Sequence, residues 1–403
     1  MLTPDAITAA RDRIKGGVVE TGSSRMYSLS AVVPGSVYMK AEFRQRTGSF
    51  KDRGALNKLL LLPEESRSQG VVAASAGNHA QALAFHASRL GIPCTIVMPE
   101  TAPLIKVSNT KGYGARVFQV GETLSDGMSE VERLVDDEGL VLVHAFNDED
   151  VMAGQGTMGL EILAQVPDVT KIVVPIGGGG MISGIATAVK DVRPDVRVIG
   201  VEAAASPTAY ESLKAGGPVH IVSSETLADG IAVKQIGGQT FPIIQSLVDD
   251  VVLVNERQIA ETIFFLLEKE KVVIEGAGAV GAAAVLSGVI PTAEDDVVVC
   301  VLCGGNIDVN IISRIIDGGL WRDGRLVQLR VTGRDRPGYL NELTQVVAAQ
   351  GANVLDIEHR RAFGDISVGD VEIAIRAETR GREHVAEIVG RLRDLGHEAD
   401  QGP

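Results

Sequence analysis

Lys171-Ile172-Val173-Val174-Pro175-Ile176-Gly177-Gly178-Gly179-Gly180-Met181-Ile182-Ser183-Gly184 is the stretch on which the fold of this 403-residue chain turns. Its first six residues are mostly branched and apolar, the composition of a buried strand. Ile185, Ala186 and Val189 continue as a helical pattern. Four glycines between strand and helix let backbone N–H groups converge with no Cβ in the way, and the helix N-terminus adds partial positive charge. Gly177, Gly178, Gly179, Gly180 and Met181 thereby form a cradle for a phosphate. A flexible loop or close strand–helix packing is the plainer alternative; the position between two regular elements favours the phosphate.

The alternation extends in both directions. Short β-rich runs at 71–74, 94–97, 115–118, 196–201 and 297–303 are separated by helical patterns such as Ala80, Leu83, Ala84 and Ala87, which is the signature of a parallel α/β architecture. Ligands in such folds sit at the carboxyl ends of strands. A Gly- and charge-rich stretch at 317–324 holds the only tryptophan, Trp321, and marks a domain boundary. Beyond it the pattern reads strand, helix, strand, strand, helix, with little apolar content at 396–401 for a closing strand. That order predicts a ferredoxin-like βαββαβ module. The expected domains are 1–320, with a small lobe of about 52–150 inserted in a large one, and 326–403.

The balance of 38 Lys+Arg against 52 Asp+Glu leaves a net charge of -14, which repels phosphate backbones and anionic lipid, so neither nucleic acid nor a membrane is an expected partner. No run of about 18 apolar residues occurs. The N-terminus lacks the apolar core of an export signal. Cys94, Cys300 and Cys303 show no paired spacing, which suggests neither disulfides nor zinc and fits a reducing cytoplasm.

Three further segments bear on chemistry. In Gly48-Ser49-Phe50-Lys51-Asp52-Arg53-Gly54 a lysine opens a helix beside an aromatic. Alone it would be a solvated charge, but near a phosphate loop it becomes a candidate Schiff-base lysine, whose ammonium pKa must fall from about 10.4 before it acts. In Ser75-Ala76-Gly77-Asn78-His79 a strand end meets a helix start, whose N–H groups suit a carboxylate; a simple cap is the alternative. Cys303 ends a strand at Gly304-Gly305 and by default fills the core. Against these stands Gly276-Ala277-Gly278-Ala279-Val280-Gly281, a literal match to the dinucleotide fingerprint. That motif needs an acid ending the next strand, whereas Glu294, Asp295 and Asp296 precede it.

Taken together the motifs GSFKDRGA (48–55), SAGNHAQ (75–81), AGQGT (153–157), GGGGMISG (177–184), LADGIAVK (227–234), IEGAGAVG (274–281) and CGGNID (303–308) occur in an order that resembles the threonine and serine ammonia-lyases dependent on pyridoxal 5′-phosphate (PLP). The resemblance implies the two-lobed tryptophan-synthase-β-like fold (fold type II) and, for the tail with its Gly333-Arg334-Asp335-Arg336-Pro337-Gly338 segment, an ACT domain. It implies that Lys51 binds the cofactor covalently with Phe50 packed on its ring, and that Gly177 to Met181 hold its phosphate. Asn78 would bond the ring hydroxyl, and Ser75, Ala76, Gly77, Asn78 and His79 would receive the substrate carboxylate. Cys303 would face the pyridine nitrogen, with Glu275 and Gly230 at the cofactor edge.

The implied reaction is β-elimination of water and release of ammonia from threonine, and also serine, with Lys51 as base and Ser75 as the second catalytic residue. A thiol, with a pKa near 8.5, leaves the pyridine nitrogen neutral, which favours elimination over reprotonation. Ala76 stands where similar serine racemases carry a second serine, so little racemisation is expected. The same resemblance implies a branched-chain amino acid as effector, a homodimer or homotetramer, and a possible monovalent or divalent cation near Glu202 and residues 227–230. A nicotinamide oxidoreductase and a catalytically dead amino-acid sensor are the competing readings.

Overall fold

The computed structural model describes residues 2–361 and 369–402; residues 1 and 403, the outer ends of the two expected domains, lie outside that range. Two compact units follow one another, Met1–Ile307 and Asp308–Pro403. Of the expected boundary region at 317–324, residues 317–322 lie in a helix, Val309–Arg322, that belongs to the second unit, and 323–324 form the turn after it. Gly318 and Gly319 sit inside that helix, at a cost of roughly 1 kcal/mol each relative to alanine.

The first unit holds two sheets. Its strands are β1 (Ser23–Arg25), β2 (Ser36–Lys40), β3 (Val71–Ala74), β4 (Cys94–Met98), β5 (Arg116–Gln119), β6 (Val141–Leu142), β7 (Lys171–Pro175), β8 (Arg197–Ala203), β9 (Asp250–Val254) and β10 (Val297–Val301). The larger sheet has the order β1-β2-β10-β7-β8-β9 and the smaller β5-β4-β3-β6. Every pairing is parallel except β1 with β2. The smaller sheet is therefore inserted in the chain between two strands of the larger, and buries apolar clusters on both faces, one around Leu83, Ile96 and Met98, the other around Val72, Val97 and Leu134. Its helix Asn78–Leu90 follows the spacing read from the sequence, burying Ala80, Leu83, Ala84 and Ala87, and ends at Gly91 with φ +68°, where a side chain would be strained.

The second unit is the ferredoxin-like module. Its strands, β11 (Leu326–Arg334), β12 (Asn353–Arg361), β13 (Asp370–Glu378) and β14 (Glu398–Gln401), form an antiparallel sheet of order β12-β13-β11-β14. Helices Tyr339–Ala349 and Arg382–Asp394 bury Leu343, Val347, Ile388 and Leu392 in its core. The closing strand exists despite its polar sequence: backbone pairing with residues 329–332 holds it, and Ala399 alone of its side chains is buried. Among the described residues no helix is long and apolar enough to cross a membrane.

Candidate active site

A cavity of about 380 Å³ opens at the carboxyl ends of β3 and β7. Phe50, Lys51, Ser75, Ala76, Gly77, Asn78, His79, Gly177, Gly178, Gly179, Gly180, Met181, Gly230, Glu275 and Cys303 all line it, so residues up to 253 positions apart in the chain converge on one space.

Lys51 is the first residue of the helix Lys51–Leu61. Its Nζ donates to Ala145 O at 2.7 Å and lies 5.0 Å from the centre of the Phe50 ring. Burial pulls its pKa down to about 8, against the opposing pull of Cys303 and Glu275. Two residues further along the same helix, Arg53 belongs to a charge cluster. Arg53 spans Glu42 (Nε to Oε2 2.9 Å, Nη2 to Oε1 2.8 Å) and Glu161 (Nη1 to Oε1 2.6 Å, Nη2 to Oε2 2.7 Å), while Lys40 Nζ meets Glu161 Oε2 at 2.5 Å. Arg53, Glu42 and Lys40 are wholly buried. Asp52 accepts the N–H and the hydroxyl of Thr47, pinning the loop ahead of the lysine.

The glycine loop follows β7. The main-chain bond that opens helix Gly180–Val192 runs from Ser183 N to Gly179 O at 3.0 Å, so the N–H groups of the turn before it are free of the helix, and Gly177 to Met181 line the cavity. Gly179 has φ +92°. A Cβ on Gly178 would lie 2.2 Å from the Phe146 ring, and one on Gly180 2.8 Å from Phe146 O, so the loop is glycine because a neighbouring turn is pressed against it.

Asn78 Nδ2 donates to Glu275 Oε1 at 2.8 Å, and its Oδ1 accepts from Asn306 Nδ2, also at 2.8 Å. Asn306 Nδ2 additionally reaches Thr47 O at 2.8 Å. Burial, with Asp229 nearby, pushes Glu275 up to about 7. His79 bonds Val143 O through Nε2 at 2.9 Å, and burial followed by the charge of Lys51 pushes it down to about 3, so it is neutral. Ser75 Oγ accepts the Gly77 N–H at 3.3 Å. Burial raises the Cys303 thiol well above its ordinary range, and its carbonyl accepts the Phe50 N–H at 3.0 Å.

The dinucleotide-like glycines lack their required setting. Residues 271–275 form no strand, and a Cβ on Gly276 would lie 2.0 Å from Leu227 O, so that glycine allows a close backbone approach. Glu202 accepts the N–H groups of Ala209 (2.7 Å) and Tyr210 (2.9 Å), and no cluster of three or more His, Cys, Asp or Glu suited to a metal occurs among the described residues.

A family model described as pyridoxal-phosphate dependent enzyme matches residues 16–304. The chain belongs to the pyridoxal-phosphate dependent enzymes. A second model, the ACT domain, matches residues 327–397. This pyridoxal-phosphate dependent enzyme is 47% identical over 398 residues to the L-threonine ammonia-lyase of Thermotoga maritima, with 99% of both chains covered. Among solved structures it resembles maize serine racemase, with a TM-score of 0.75 and 35% identity over 80% of this chain and 98% of that one. It also resembles the processed form of threonine deaminase isoform 2 from Solanum lycopersicum, with a TM-score of 0.72 and 34% identity over 77% and 85%.

The cavity fits the cofactor of the pyridoxal-phosphate dependent enzymes: a partly desolvated amine, an aromatic beside it, and an N–H-rich glycine turn opposite. Other contributors carried no part in the sequence reading. Asn306, though inside the CGGNID motif, orients Asn78; Ala145 supplies a carbonyl to Lys51; and His144 and Phe146 sit in the turn between β6 and the next helix. A histidine between a strand and an acidic helix start was the available signal. Gly178→Ala is expected to weaken PLP affinity at least about tenfold by displacing Phe146, read by fluorescence titration of the cofactor-free protein; unchanged affinity would show that the turn yields freely.

Proposed function

We propose that the chain removes water and then ammonia from L-threonine to give 2-oxobutyrate, and converts L-serine to pyruvate. The observation that carries this reading is the partly desolvated Lys51 amine in a cavity with a glycine cradle, in a chain similar over its whole length to an L-threonine ammonia-lyase. When bound, the cofactor supplies an electron sink for negative charge at the substrate Cα. Lys51 would hold it by its amine, Gly177 to Met181 by their N–H groups, Asn78 at its ring hydroxyl, and Phe50 and Glu275 at its faces and edge.

Lys51 Nζ would take the substrate Cα proton; a pKa of about 8 leaves part of the amine neutral near pH 7. The loop Ser75 to His79, at the N-terminus of its helix, receives the substrate carboxylate. Cys303, kept protonated by burial, has no proton to spare for a ring nitrogen, and Ala76 has none to return to Cα from the opposite side. Loss of the β-hydroxyl as water, with the proton that Lys51 took from Cα passed to the departing oxygen, therefore outpaces return of that proton to Cα.

Residues 1–320 carry the chemistry in this reading, and 326–403 bind an amino-acid effector, isoleucine or valine, that favours one state of the enzyme. A homodimer or homotetramer in the cytoplasm, with its three buried free thiols reduced, completes the proposal, and a cation near Glu202 is left to assay. Incubation with threonine, serine or buffer alone, with and without branched-chain amino acids, tests it. Ketoacid from threonine with only a trace of D-serine from serine is expected; D-serine formed as fast as pyruvate would contradict the role given to Ala76.

A further inference from the structure

The turn that carries Ala145 and Phe146 also fixes the state of a side chain with no part in the reading above. His144 follows β6, and its Nδ1 accepts the N–H groups of Phe146 at 3.2 Å and Asn147 at 2.9 Å. A ring nitrogen that accepts two N–H groups carries no proton, so the imidazole is neutral with its hydrogen on Nε2. Burial, with Lys51 nearby, holds its pKa below the ordinary range, which agrees. The Phe146 ring meets it nearly perpendicular, 4.6 Å between centroids and 87° between planes, and so fixes its orientation. The imidazole lines the same cavity as Lys51, and the next carbonyl, Ala145 O, is the one that receives Lys51 Nζ at 2.7 Å. An imidazole of fixed tautomer thus lines the cavity that holds the amine assigned to the Cα proton.

We propose that His144 Nε2–H donates a hydrogen bond to the β-hydroxyl of the substrate, and that this bond is how the cavity distinguishes hydroxy amino acids from those with a plain alkyl side chain. The inference rests on the reading of the cavity as a site for hydroxy amino acids. A neutral donor suits an uncharged hydroxyl, whereas the substrate carboxylate already has the helix N-terminus at Ser75 to His79. A site built to hydrogen-bond a hydroxyl discriminates against the analogue that lacks it, because the donor is then left without a partner.

Two substitutions separate the two nitrogens. In His144→Asn the amide oxygen replaces Nδ1 and keeps the turn capped, but the Nε2–H is gone. In His144→Gln the amide nitrogen reaches the place of Nε2. His144→Asn is expected to lower kcat/KM for threonine about three- to tenfold, while the inhibition constant of L-2-aminobutyrate, which has no hydroxyl, moves less than about twofold. His144→Gln is expected to recover threonine turnover. Equal losses for threonine and 2-aminobutyrate, or threonine turnover by His144→Asn at the parent rate, would overturn the inference. Nitrogen-15 NMR of the cofactor-free protein supplies a reading independent of activity: a neutral imidazole protonated on Nε2 at pH 7 is expected, and an Nδ1–H tautomer or a charged ring contradicts the proposal. A parent enzyme inactive on threonine would instead remove the proposed function itself, and the two failures are told apart in the same assay.

Discussion

Lys51→Ala is expected to lower kcat/KM for threonine by at least about 10³-fold and to leave the purified protein without the visible absorbance of a bound cofactor. Two roles vanish together, the amine that holds the cofactor and the base that moves the Cα proton. Lys51→Arg restores neither, since a guanidinium stays charged near neutral pH and cannot act as base or nucleophile. The pH profile of the parent enzyme gives a further check. With the folded pKa lowered to about 8 by burial, the neutral amine grows tenfold per pH unit below that value and levels off above it, so the base-limited rate should rise and flatten near pH 8. An enzyme whose rate is flat from pH 6 to about 9, or a Lys51→Arg variant that works, would exclude this amine as base.

Arg53→Met carries the largest expected loss of stability, about 3–5 kcal/mol by chemical denaturation. The cluster of Lys40, Glu42, Arg53 and Glu161 is balanced, two positive against two negative, and Arg53 makes four of its hydrogen bonds to the two carboxylates. Burial raises the Glu42 pKa, yet Arg53 foremost, together with Lys40 and the Thr21 hydroxyl, reverses that, and the net effect is a lowered value. Without the guanidinium the buried Glu42 and the partly buried Glu161 face one ammonium. Arg53→Lys should recover only part of the loss, because a single ammonium cannot present two planar forks. The sign of the pH dependence follows from the lowered carboxylate: the stability Glu42 contributes is present above its unfolded pKa and is lost as pH falls through the folded one. A midpoint for Arg53→Met equal to that of the parent would show the cluster to be dispensable.

What the sequence disclosed, and what it hid, divides along one line. The glycine loop after β7 and the helix opened by Lys51 are local devices, strand-turn-helix patterns readable in a dozen residues. Strand β2 was missed although it lies between β1 and β10, because Ser36–Lys40 is short and ends in a lysine that partners distant in the chain, Thr21 O, Glu161 and Gln165, make tolerable inside. Strand β9 was missed at the opposite edge, where half-exposed Val252 and Leu253 give little pattern. β14 is invisible to hydropathy, since backbone ladder bonds rather than apolar side chains hold it. The same holds in the cavity. Lys51 and Asn78 announce themselves through their neighbours in sequence, whereas the bond of Asn306 to Asn78 spans 228 positions and the tautomer of His144 depends on how a turn folds back on its own side chain. Gly276 to Gly281 mislead for the converse reason: their spacing is right for a dinucleotide, but the strand that should precede them is absent from residues 271–275.

Borohydride reduction of the cofactor-loaded protein, followed by digestion and mass spectrometry, addresses the central assignment most directly. The cofactor's mass should appear on the peptide containing Lys51 and on no other lysine. Finding Lys51 unmodified while Lys106, which also lines the cavity, carries the label would contradict the account.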